Sequence, residues 1–197
     1  MSYVLGLTGS IAMGKSTTSA LFAAEGLPVW DADAVVHRLY AQGGAAVAPL
    51  AAAFPEALAD GAISRPTLAR ITAADPGALP RIEAVVHPLV AADRAGFLAG
   101  ATADIVVLDV PLLFETGTDA LCDGIAVVSV PEAVQRDRAL ARPGMDGMRL
   151  AMMLARQIPD AEKRARATWV IETLTLDAAR ARVRAIIAAI RKGGIDA

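Results

Sequence analysis

The sequence has 197 residues, of which 20% are charged, and a formal net charge of −2. This length suits one well-buried domain, and the slightly acidic balance does not indicate a surface for nucleic acid. Hydrophobic residues make up 55% of the chain but occur in short runs, so no stretch of about eighteen uncharged apolar residues predicts a membrane span.

Short apolar runs alternate with longer helical patterns along the chain, which is typical of βαβ units and a parallel sheet. The first run, Val4–Leu7, predicts a strand, Gly9–Gly14 a loop, and Lys15–Glu25 a helix that Gly26 ends. The final pattern, Asp177–Lys192, has one apolar face and predicts a helix that packs on the sheet. The other predicted strands are Leu27–Trp30, Ile105–Val110, Ile125–Val130 and Trp169–Ile171.

Two long segments lie between predicted strands. About seventy residues separate the second strand from the third, without a strand signal and broken by glycines and prolines, which is too long for a plain crossover. We therefore expect a helical insertion at about 34–100, over one end of the sheet. A second helical stretch, at about 132–167, is interrupted by Pro143-Gly144 and Pro159 and is interpreted as a lid.

A nucleotide-binding motif follows the first strand. The segment from Gly9 to Ser16 fits the pattern G-x-x-x-x-G-K-[ST] between a strand and a helix. Glycines let backbone N–H groups turn inward around phosphate oxygens, the lysine adds a positive charge, and the serine hydroxyl can bind Mg²⁺. The cofactors that this motif implies are ATP and Mg²⁺. The residues expected to bind them are Gly9, Ser10, Ile11, Ala12, Met13, Gly14, Lys15, Ser16 and Thr17.

This motif, known as the P-loop, is shared by kinases, GTPases and motor ATPases, so other features must separate these classes. The chain contains no asparagine, which excludes the Asn-Lys-x-Asp motif with which GTPases usually bind guanine. Motor ATPases are normally larger. Helical segments that exclude water suit a small-molecule kinase. The sequence therefore predicts a P-loop kinase with a three-layer α/β/α fold and a parallel sheet of about five strands.

Two aspartates, Asp31 and Asp33, follow the second predicted strand. Ligands of parallel sheets bind where strands end, so the Asp33 carboxylate could face the γ-phosphate. It could equally be the N-cap of a helix at Ala34–Ala41. The spacing leaves both interpretations open.

Several blocks in collinear order give the chain a family resemblance. Asp31-Ala32-Asp33 and Val110-Pro111-Leu112-Leu113-Phe114-Glu115 are the most specific of them. The chain resembles the dephospho-coenzyme A kinase family, which phosphorylates the 3′-hydroxyl of the ribose in the last step of coenzyme A biosynthesis. The other matching residues are Leu7–Gly9, Leu27–Trp30, Asp60–Arg65, His87–Leu89, Asp109, Gln135, Arg138, Arg142 and Gln157.

The resemblance implies a role for each matching residue, and it makes dephospho-coenzyme A the substrate. Asp33 resembles the carboxylate that orients or deprotonates the acceptor hydroxyl. Arg138 and Arg142, four apart on one helix face, resemble lid arginines that meet the phosphates, although solvated helix cations are the alternative. The implied catalytic residues are Asp33, Lys15, Arg138 and Arg142. The implied acceptor-binding residues are Asp33, Arg65, His87, Leu112, Leu113 and Phe114, and the implied metal ligands are Ser16 and Asp109.

Alternatives stay open for two of these residues: structural capping for His87 and a strand-end turn acid for Asp109. The chain also departs from the family pattern. Ser10, Ala12 and Met13 replace smaller loop residues, and their side chains are expected to point away from phosphate. Val170–Thr175 replaces the usual Val-Ile-Asp-Asn-small-Gly near the adenine side, so contacts with the base are expected to differ.

The runner-up function is another small-molecule or nucleoside monophosphate kinase, and a third possibility is a nucleotide-dependent interaction module. The one cysteine, Cys122, cannot form an internal disulfide, which fits a reducing compartment. We expect a cytoplasmic enzyme, a monomer or weak homo-oligomer, with no nucleic-acid or membrane partner.

Overall fold

A computed structural model describes residues 2–193 of the chain. Within this part the strands are β1 (Tyr3–Thr8), β2 (Val29–Asp31), β3 (Leu58–Ala59), β4 (Ala62–Ile63), β5 (Ile105–Asp109), β6 (Gly124–Ser129) and β7 (Trp169–Glu172). The helices are α1 (Lys15–Ala24), α2 (Ala32–Tyr40), α3 (Val47–Ala53), α4 (Arg65–Ala74), α5 (Ala78–Ala99), α6 (Glu132–Leu140), α7 (Gly147–Leu154), α8 (Asp160–Arg166) and α9 (Leu176–Arg191).

Five of the strands form one sheet in the order β2-β5-β1-β6-β7. The central strand β1 pairs in parallel with β5 on one side and with β6 on the other, and β6 pairs in parallel with β7. Strands β5 and β6 are buried along their whole length, as expected of parallel strands covered on both faces. The predicted α/β fold with a parallel sheet of about five strands is therefore confirmed.

The helices beside this sheet follow the predicted pattern closely. Gly26 has a φ of +86°, the left-handed conformation that glycine provides after the last turn of α1. Helix α9 buries Val183, Ile186 and Ile187 in the same core cluster as the strands. The Thr175 hydroxyl caps α9 by accepting a hydrogen bond from the N–H of Ala178 at 3.2 Å. The apolar face of α9 thus lies where the sequence predicted it.

Residues 31–100 form a compact unit of their own. The other unit consists of the residues up to Trp30 and those from Ala101 onward. Helices α2–α5 supply most of the core of the 31–100 unit, which includes Leu50, Phe54 and Ile82. The unit covers nearly the same residues as the helical insertion expected at about 34–100; its role in acceptor binding stays a prediction.

The expectation that this unit contains no strand is wrong. Strands β3 and β4 pair antiparallel on either side of Asp60-Gly61. Asp60 and Gly61 have φ angles of 51° and 76°, the left-handed conformations of a type I′ turn, for which Asp-Gly is a favoured dipeptide. The turn signal was present, but strands of two residues are too short to show alternation.

Among residues 2–193, none of the helices combines the length and the apolar character that crossing a bilayer would require.

Candidate active site

The loop from Gly9 to Gly14 joins β1 to α1 and is held close to the sheet. A side-chain carbon on Gly9 would lie 2.2 Å from Val128 Cγ2 and 2.9 Å from the Val128 carbonyl oxygen, so only glycine fits there. Ala12 and Gly14 have φ angles of 62° and 91°. Alternation of left-handed and ordinary residues turns successive backbone N–H groups to one side, which makes an anion-binding concavity.

Helix α1 begins at this loop without a side-chain cap. Its N-cap is Gly14, no side chain accepts a hydrogen bond from its first turn, and no acidic residue lies in that turn. The N–H groups of a first helical turn have no partner within the helix and carry the positive end of its dipole. Ser16 and Thr17 are exposed in the same turn. The start of α1 therefore offers N–H and hydroxyl groups to an anion.

Lys15 forms an ion pair with Asp109 in this structure. The Lys15 Nζ lies 2.5 Å from Asp109 Oδ1, and the two side chains are 14% and 2% exposed. Asp109 is the last residue of β5 and Lys15 the first residue of α1, which follows the neighbouring strand β1. The predicted nucleotide lysine and the predicted metal-binding carboxylate thus lie side by side at the same end of the sheet.

The loop side chains that depart from the family pattern are packed into the protein. Met13 is 2% exposed and belongs to the main core cluster, and its sulfur accepts a hydrogen bond from the N–H of Val130 at 3.2 Å. Ala12 packs with Ala139 and Leu150 of α6 and α7. A left-handed alanine costs about 1–2 kcal/mol relative to the ordinary conformation. The packing of its methyl group offsets part of this cost.

Two glutamine side chains hold the backbone of Ile11. The Gln157 Oε1 accepts a hydrogen bond from the N–H of Ile11 at 3.2 Å. The Gln135 Nε2 donates to the carbonyl of Ile11 at 2.9 Å, and Gln135 is 6% exposed. Both glutamines belong to the family pattern, but spacing alone gives no sign of this contact, because they lie 124 and 146 residues from Ile11.

Arg138 is anchored on the segment after β7. Its Nη2 donates to the carbonyl of Thr173 at 2.8 Å and its Nη1 to the Thr173 hydroxyl at 3.2 Å. The expectation that Arg138 and Arg142 share a helix face is wrong, because α6 ends at Leu140. Arg142 precedes Pro143, and a residue before proline avoids the helical conformation.

A cavity of about 310 Å³ lies beside the first turns of α1. Both arginines line it, together with residues of the loop, of α1 and of the segment after β7. The lining includes Ala12, Gly14, Thr17, Arg138, Arg142 and Thr173. Positive charges and uncapped N–H groups around one cavity make it suited to a polyanionic ligand.

A buried ion pair joins α8 to the segment after β5. The Lys163 Nζ lies 2.9 Å from Glu115 Oε1, and the two side chains are 0% and 15% exposed. The same oxygen accepts a hydrogen bond from the N–H of Ile158 at 2.8 Å. Burial by itself raises the pKa of Glu115, but the Lys163 ammonium and the Ile158 N–H together bring it below its ordinary value of 4.5. Glu115 thereby connects the 111–115 segment to Ile158, the residue that follows Gln157.

Replacing Lys163 by methionine is expected to lower the free energy of unfolding by about 3 kcal/mol, because it leaves a largely buried carboxylate without its counter-charge. Urea denaturation at pH 7 measures this. The double variant Lys163→Met/Glu115→Gln removes both charges and should recover most of the loss. A single variant within 1 kcal/mol of the unsubstituted chain would contradict the ion pair's importance.

The same pair has a predictable pH dependence. Because folding lowers the pKa of Glu115, its contribution to stability is complete above the ordinary value of 4.5 and is lost as the pH falls below it. In Lys163→Met this acid-side loss should become smaller, since the ammonium that lowers the pKa is gone. Unfolding curves measured between pH 7 and pH 3 test the difference.

In the 31–100 unit, the structure decides which aspartate caps α2. The Asp31 Oδ1 accepts hydrogen bonds from the N–H groups of Asp33 and Ala34 at 2.8 and 3.0 Å, so Asp31 is the N-cap. The capping role left open for Asp33 is therefore wrong. Asp33 lies in the first turn of α2 with its side chain exposed. Its carboxylate is available for another function.

Two further predicted residues lie elsewhere in this unit. His87 is exposed in the middle of α5, so a capping role for it is wrong. Arg65 is exposed in the first turn of α4, after the capping residue Ser64. Burial raises the pKa of the Tyr40 phenol, and the charge of Arg65 partly opposes this shift. Arg65 therefore lies close enough to Tyr40 to act on it electrostatically.

The apolar segment after β5 has one exposed and two buried side chains. Leu112 is 37% exposed, whereas Leu113 is fully buried and Phe114 is 7% exposed. The guanidinium of Arg166 lies 4.1 Å from the centre of the Phe114 ring. Leu112 is therefore the member of this segment that offers most surface to a ligand.

The donors fit a magnesium ion that the nucleotide itself helps to hold. Residues 2–193 contain no group of three His, Cys, Asp or Glu side chains that could hold a metal ion by themselves. Magnesium commonly takes one or two protein oxygens and completes its shell with phosphate oxygens and waters. The Ser16 hydroxyl and the Asp109 carboxylate are donors of this kind.

Comparison with known proteins identifies the family. A family model described as dephospho-CoA kinase matches residues 3–176. The chain belongs to the dephospho-CoA kinase family. This assignment confirms the predicted enzyme class, a phosphotransferase of coenzyme A biosynthesis, and does not favour a nucleoside monophosphate kinase. As a kinase of this family, the enzyme uses ATP and a divalent metal ion and acts on a small-molecule substrate.

Relatives of known name support the assignment along the whole chain. The dephospho-CoA kinase of Cereibacter sphaeroides is 62% identical over 188 residues, which are 95% of each chain. That of Ruegeria pomeroyi is 57% identical over 197 residues, which are 100% of each chain. The family resemblance that the sequence motifs indicated is therefore confirmed.

Solved structures agree with the fold. A crystal structure from Thermus thermophilus superposes with a TM-score of 0.85 at 35% identity, covering 96% of this chain and 97% of that one. The dephospho-CoA kinase of Campylobacter jejuni gives a TM-score of 0.73 at 24% identity, covering 98% and 99% of the two chains. At that identity the second likeness supports the fold alone.

Proposed function

We propose that this enzyme transfers the γ-phosphate of ATP, bound with Mg²⁺, to the 3′-hydroxyl of dephospho-coenzyme A. The observation that carries the proposal is the uncapped start of α1 after the Gly9–Gly14 loop, with Lys15 beside it. Phosphoryl transfer needs little covalent chemistry from the protein, so positioning and charge stabilisation account for most of the catalysis.

The loop and α1 are proposed to bind the triphosphate. Backbone N–H groups of the loop and the first turn of α1 would donate to its oxygens, and Lys15 would leave Asp109 to contact the β- and γ-phosphates. Ser16 and Asp109 would hold the magnesium ion, which neutralises charge on the transferring phosphate. Thr17 would donate its hydroxyl near the α-phosphate. The exposed Leu174 and Leu176, which line the same cavity, offer apolar contact to the purine ring.

Arg138 and Arg142 are proposed to stabilise the charge of the transferring phosphate. The cavity that both line also includes Gly14 and Thr17, which belong to the proposed phosphate site. Arg138 is held by two hydrogen bonds and Arg142 is exposed on the turn after α6. We infer that Arg138 is fixed before ATP binds and that Arg142 becomes ordered on the nucleotide.

On the acceptor side, Asp33 is proposed to accept the proton of the ribose hydroxyl. A ribose hydroxyl is a poor nucleophile, and a carboxylate within hydrogen-bond reach is the usual means of activating it. Asp33 has an exposed carboxylate that does not cap α2, because Asp31 does so. Asp33 lies in the first turn of α2, where a negative side chain interacts favourably with the helix dipole.

Other residues are proposed to hold the rest of the acceptor. Arg65 and His87, both exposed on the 31–100 unit, would contact its phosphate groups or hydroxyls. Leu112 and Phe114 would pack on its apolar parts, with the buried Leu113 supporting them. We also propose a cytoplasmic location, which the cysteine content supports, because Cys122 is the one cysteine of the sequence and cannot form an internal disulfide. A monomer or weak homo-oligomer is the proposed state.

The test is a coupled assay of ADP release with the purified full chain. Dephospho-coenzyme A should support turnover, whereas adenosine and AMP should give rates close to the ATP-only background. Formation of coenzyme A is checked by mass spectrometry. Digestion of the product with an enzyme that removes only a 3′-phosphate shows whether the new phosphate is at that position. A rate with dephospho-coenzyme A no higher than with adenosine rejects the proposal, and preferential use of AMP would favour a nucleoside monophosphate kinase.

A further inference from the structure

Thr173, the first residue after β7, contacts two parts of the nucleotide site at once. It is 8% exposed, and its hydroxyl donates a hydrogen bond to the carbonyl of Met13 at 2.6 Å. The same hydroxyl oxygen accepts from Arg138 Nη1 at 3.2 Å, and the Thr173 carbonyl accepts from Nη2 at 2.8 Å. One side chain therefore joins the phosphate-binding loop to the arginine on α6.

The loop is shaped to receive this hydroxyl. A side-chain carbon on Gly14 would lie 2.7 Å from Thr173 Oγ1, and Gly14 has a φ of +91°, so glycine is needed there for two reasons. Met13 is also held from the other side, where its sulfur accepts a hydrogen bond from Val130. The turn at Met13-Gly14, from which α1 starts, is thus fixed between the ends of β6 and β7.

From these contacts we propose that Thr173 is a positioning residue for ATP, acting through Arg138 and the Met13-Gly14 turn. The inference rests on the proposed function, because it takes the 310 Å³ cavity beside α1 as the nucleotide site. A free arginine side chain loses conformational entropy when it is immobilised on a ligand. Thr173 holds Arg138 at the wall of the cavity in advance, so ATP does not bear this cost.

Threonine suits the task because of its shape and its hydroxyl. Its branched side chain has few rotamers, and its hydroxyl can donate to Met13 and accept from Arg138 together. Valine has nearly the same shape without the hydroxyl, so Thr173→Val leaves the Met13 carbonyl and Arg138 Nη1 without these partners. Thr173→Ser keeps the hydroxyl. This pair of variants separates the hydrogen bonds from the packing.

The experiment measures two quantities for the unsubstituted enzyme and each variant. These are the KM for ATP, from steady-state kinetics, and the Kd for ADP, from calorimetry without acceptor. Thr173→Val is expected to raise both KM and Kd about tenfold, the usual effect of losing a hydrogen bond to a charged group. The KM for dephospho-coenzyme A should stay within about twofold, because the loss concerns nucleotide binding. Thr173→Ser should recover ATP binding to within about threefold of the unsubstituted enzyme.

A second comparison tests whether Thr173 acts through Arg138. In an Arg138→Met background, the additional Thr173→Val substitution should raise the KM for ATP by a smaller factor than it does alone, because only the hydrogen bond to Met13 is then left to lose. If Thr173→Val does not fold, Arg138→Lys replaces it in the test and should also raise the KM for ATP about tenfold. An ammonium cannot contact both Thr173 oxygens as the guanidinium fork does. Arg138→Lys with an unchanged KM for ATP would overturn the proposal.

The matched control is Thr168→Val, at the other end of β7. The Thr168 hydroxyl accepts a hydrogen bond from the N–H of Ile125 at 3.0 Å. Its loss should lower the melting temperature and leave the KM for ATP unchanged. The inference alone fails if the unsubstituted enzyme binds ADP and turns over while Thr173→Val has the same KM and Kd. The proposed function fails with it if the unsubstituted enzyme does not bind ADP.

Discussion

Replacing Lys15 by methionine is expected to lower kcat/KM for ATP by at least about a hundredfold, because a charge that stabilises the transferring phosphate is removed. The loss should appear mainly in kcat, since this charge counts most when negative charge on the γ-phosphate shifts toward the leaving group. Steady-state kinetics with dephospho-coenzyme A and varied ATP measure it. The exposed Lys192 offers a matched control, and Lys192→Met should keep kcat within about twofold.

The ion pair with Asp109 allows catalysis to be separated from stability. Lys15→Met removes a positive charge beside the Asp109 carboxylate, which is 2% exposed, and should lower the melting temperature. The double variant Lys15→Met/Asp109→Asn removes the buried charge and should regain stability, but it should stay inactive because both the lysine and a proposed magnesium ligand are missing. Recovery of activity together with stability would mean that Lys15 serves the fold rather than the reaction.

Changing Asp33 to asparagine is expected to lower kcat at least about a hundredfold, which is the usual effect of removing a general base. The melting temperature should hardly change, because Asp31 remains to cap α2 and an exposed first-turn charge contributes only about 0.5 kcal/mol. The KM for ATP should also be unchanged, since the residue is proposed to act on the acceptor.

Two other substitutions in the 31–100 unit serve as controls for this test. Asp31→Ala removes the cap and should cost about 1 kcal/mol of stability, which denaturation detects. Asp93→Asn, which breaks an exposed ion pair with Arg38 in the same unit, should alter neither activity nor stability measurably. Near-normal turnover by Asp33→Asn would reduce Asp33 to a surface carboxylate and leave the reaction without its proposed base.

The phosphate-binding loop could be predicted from the sequence because its chemistry is local. Eight consecutive residues supply the turn, the start of α1 and the lysine, and the preceding apolar run fixes the strand from which they extend. The sheet was predictable for a similar reason, since buried parallel strands are continuous apolar runs. In both cases the sequence signal lies within one short segment, even though strands as distant in the chain as β1 and β5 pair in the sheet.

Contacts between distant segments could not be predicted in this way. Lys163 and Glu115 lie 48 residues apart, and nothing in their surroundings distinguishes them from surface charges until the chain is folded. The role of Thr173 was hidden for the same reason, because Met13 lies 160 residues before it. The choice between Asp31 and Asp33 as the cap depended on whether the helix begins at Ala32 or at Ala34, and sequence patterns place helix boundaries poorly.

The pairing of Lys15 with Asp109 also bears on which anions can occupy the loop. Inorganic phosphate must compete with a carboxylate for the ammonium and is repelled by that carboxylate at close range. A triphosphate that arrives with a divalent counter-ion brings its own positive charge toward Asp109, so repulsion becomes attraction. The enzyme is therefore expected to bind the metal-bound triphosphate in preference to simple anions, which would otherwise compete for Lys15.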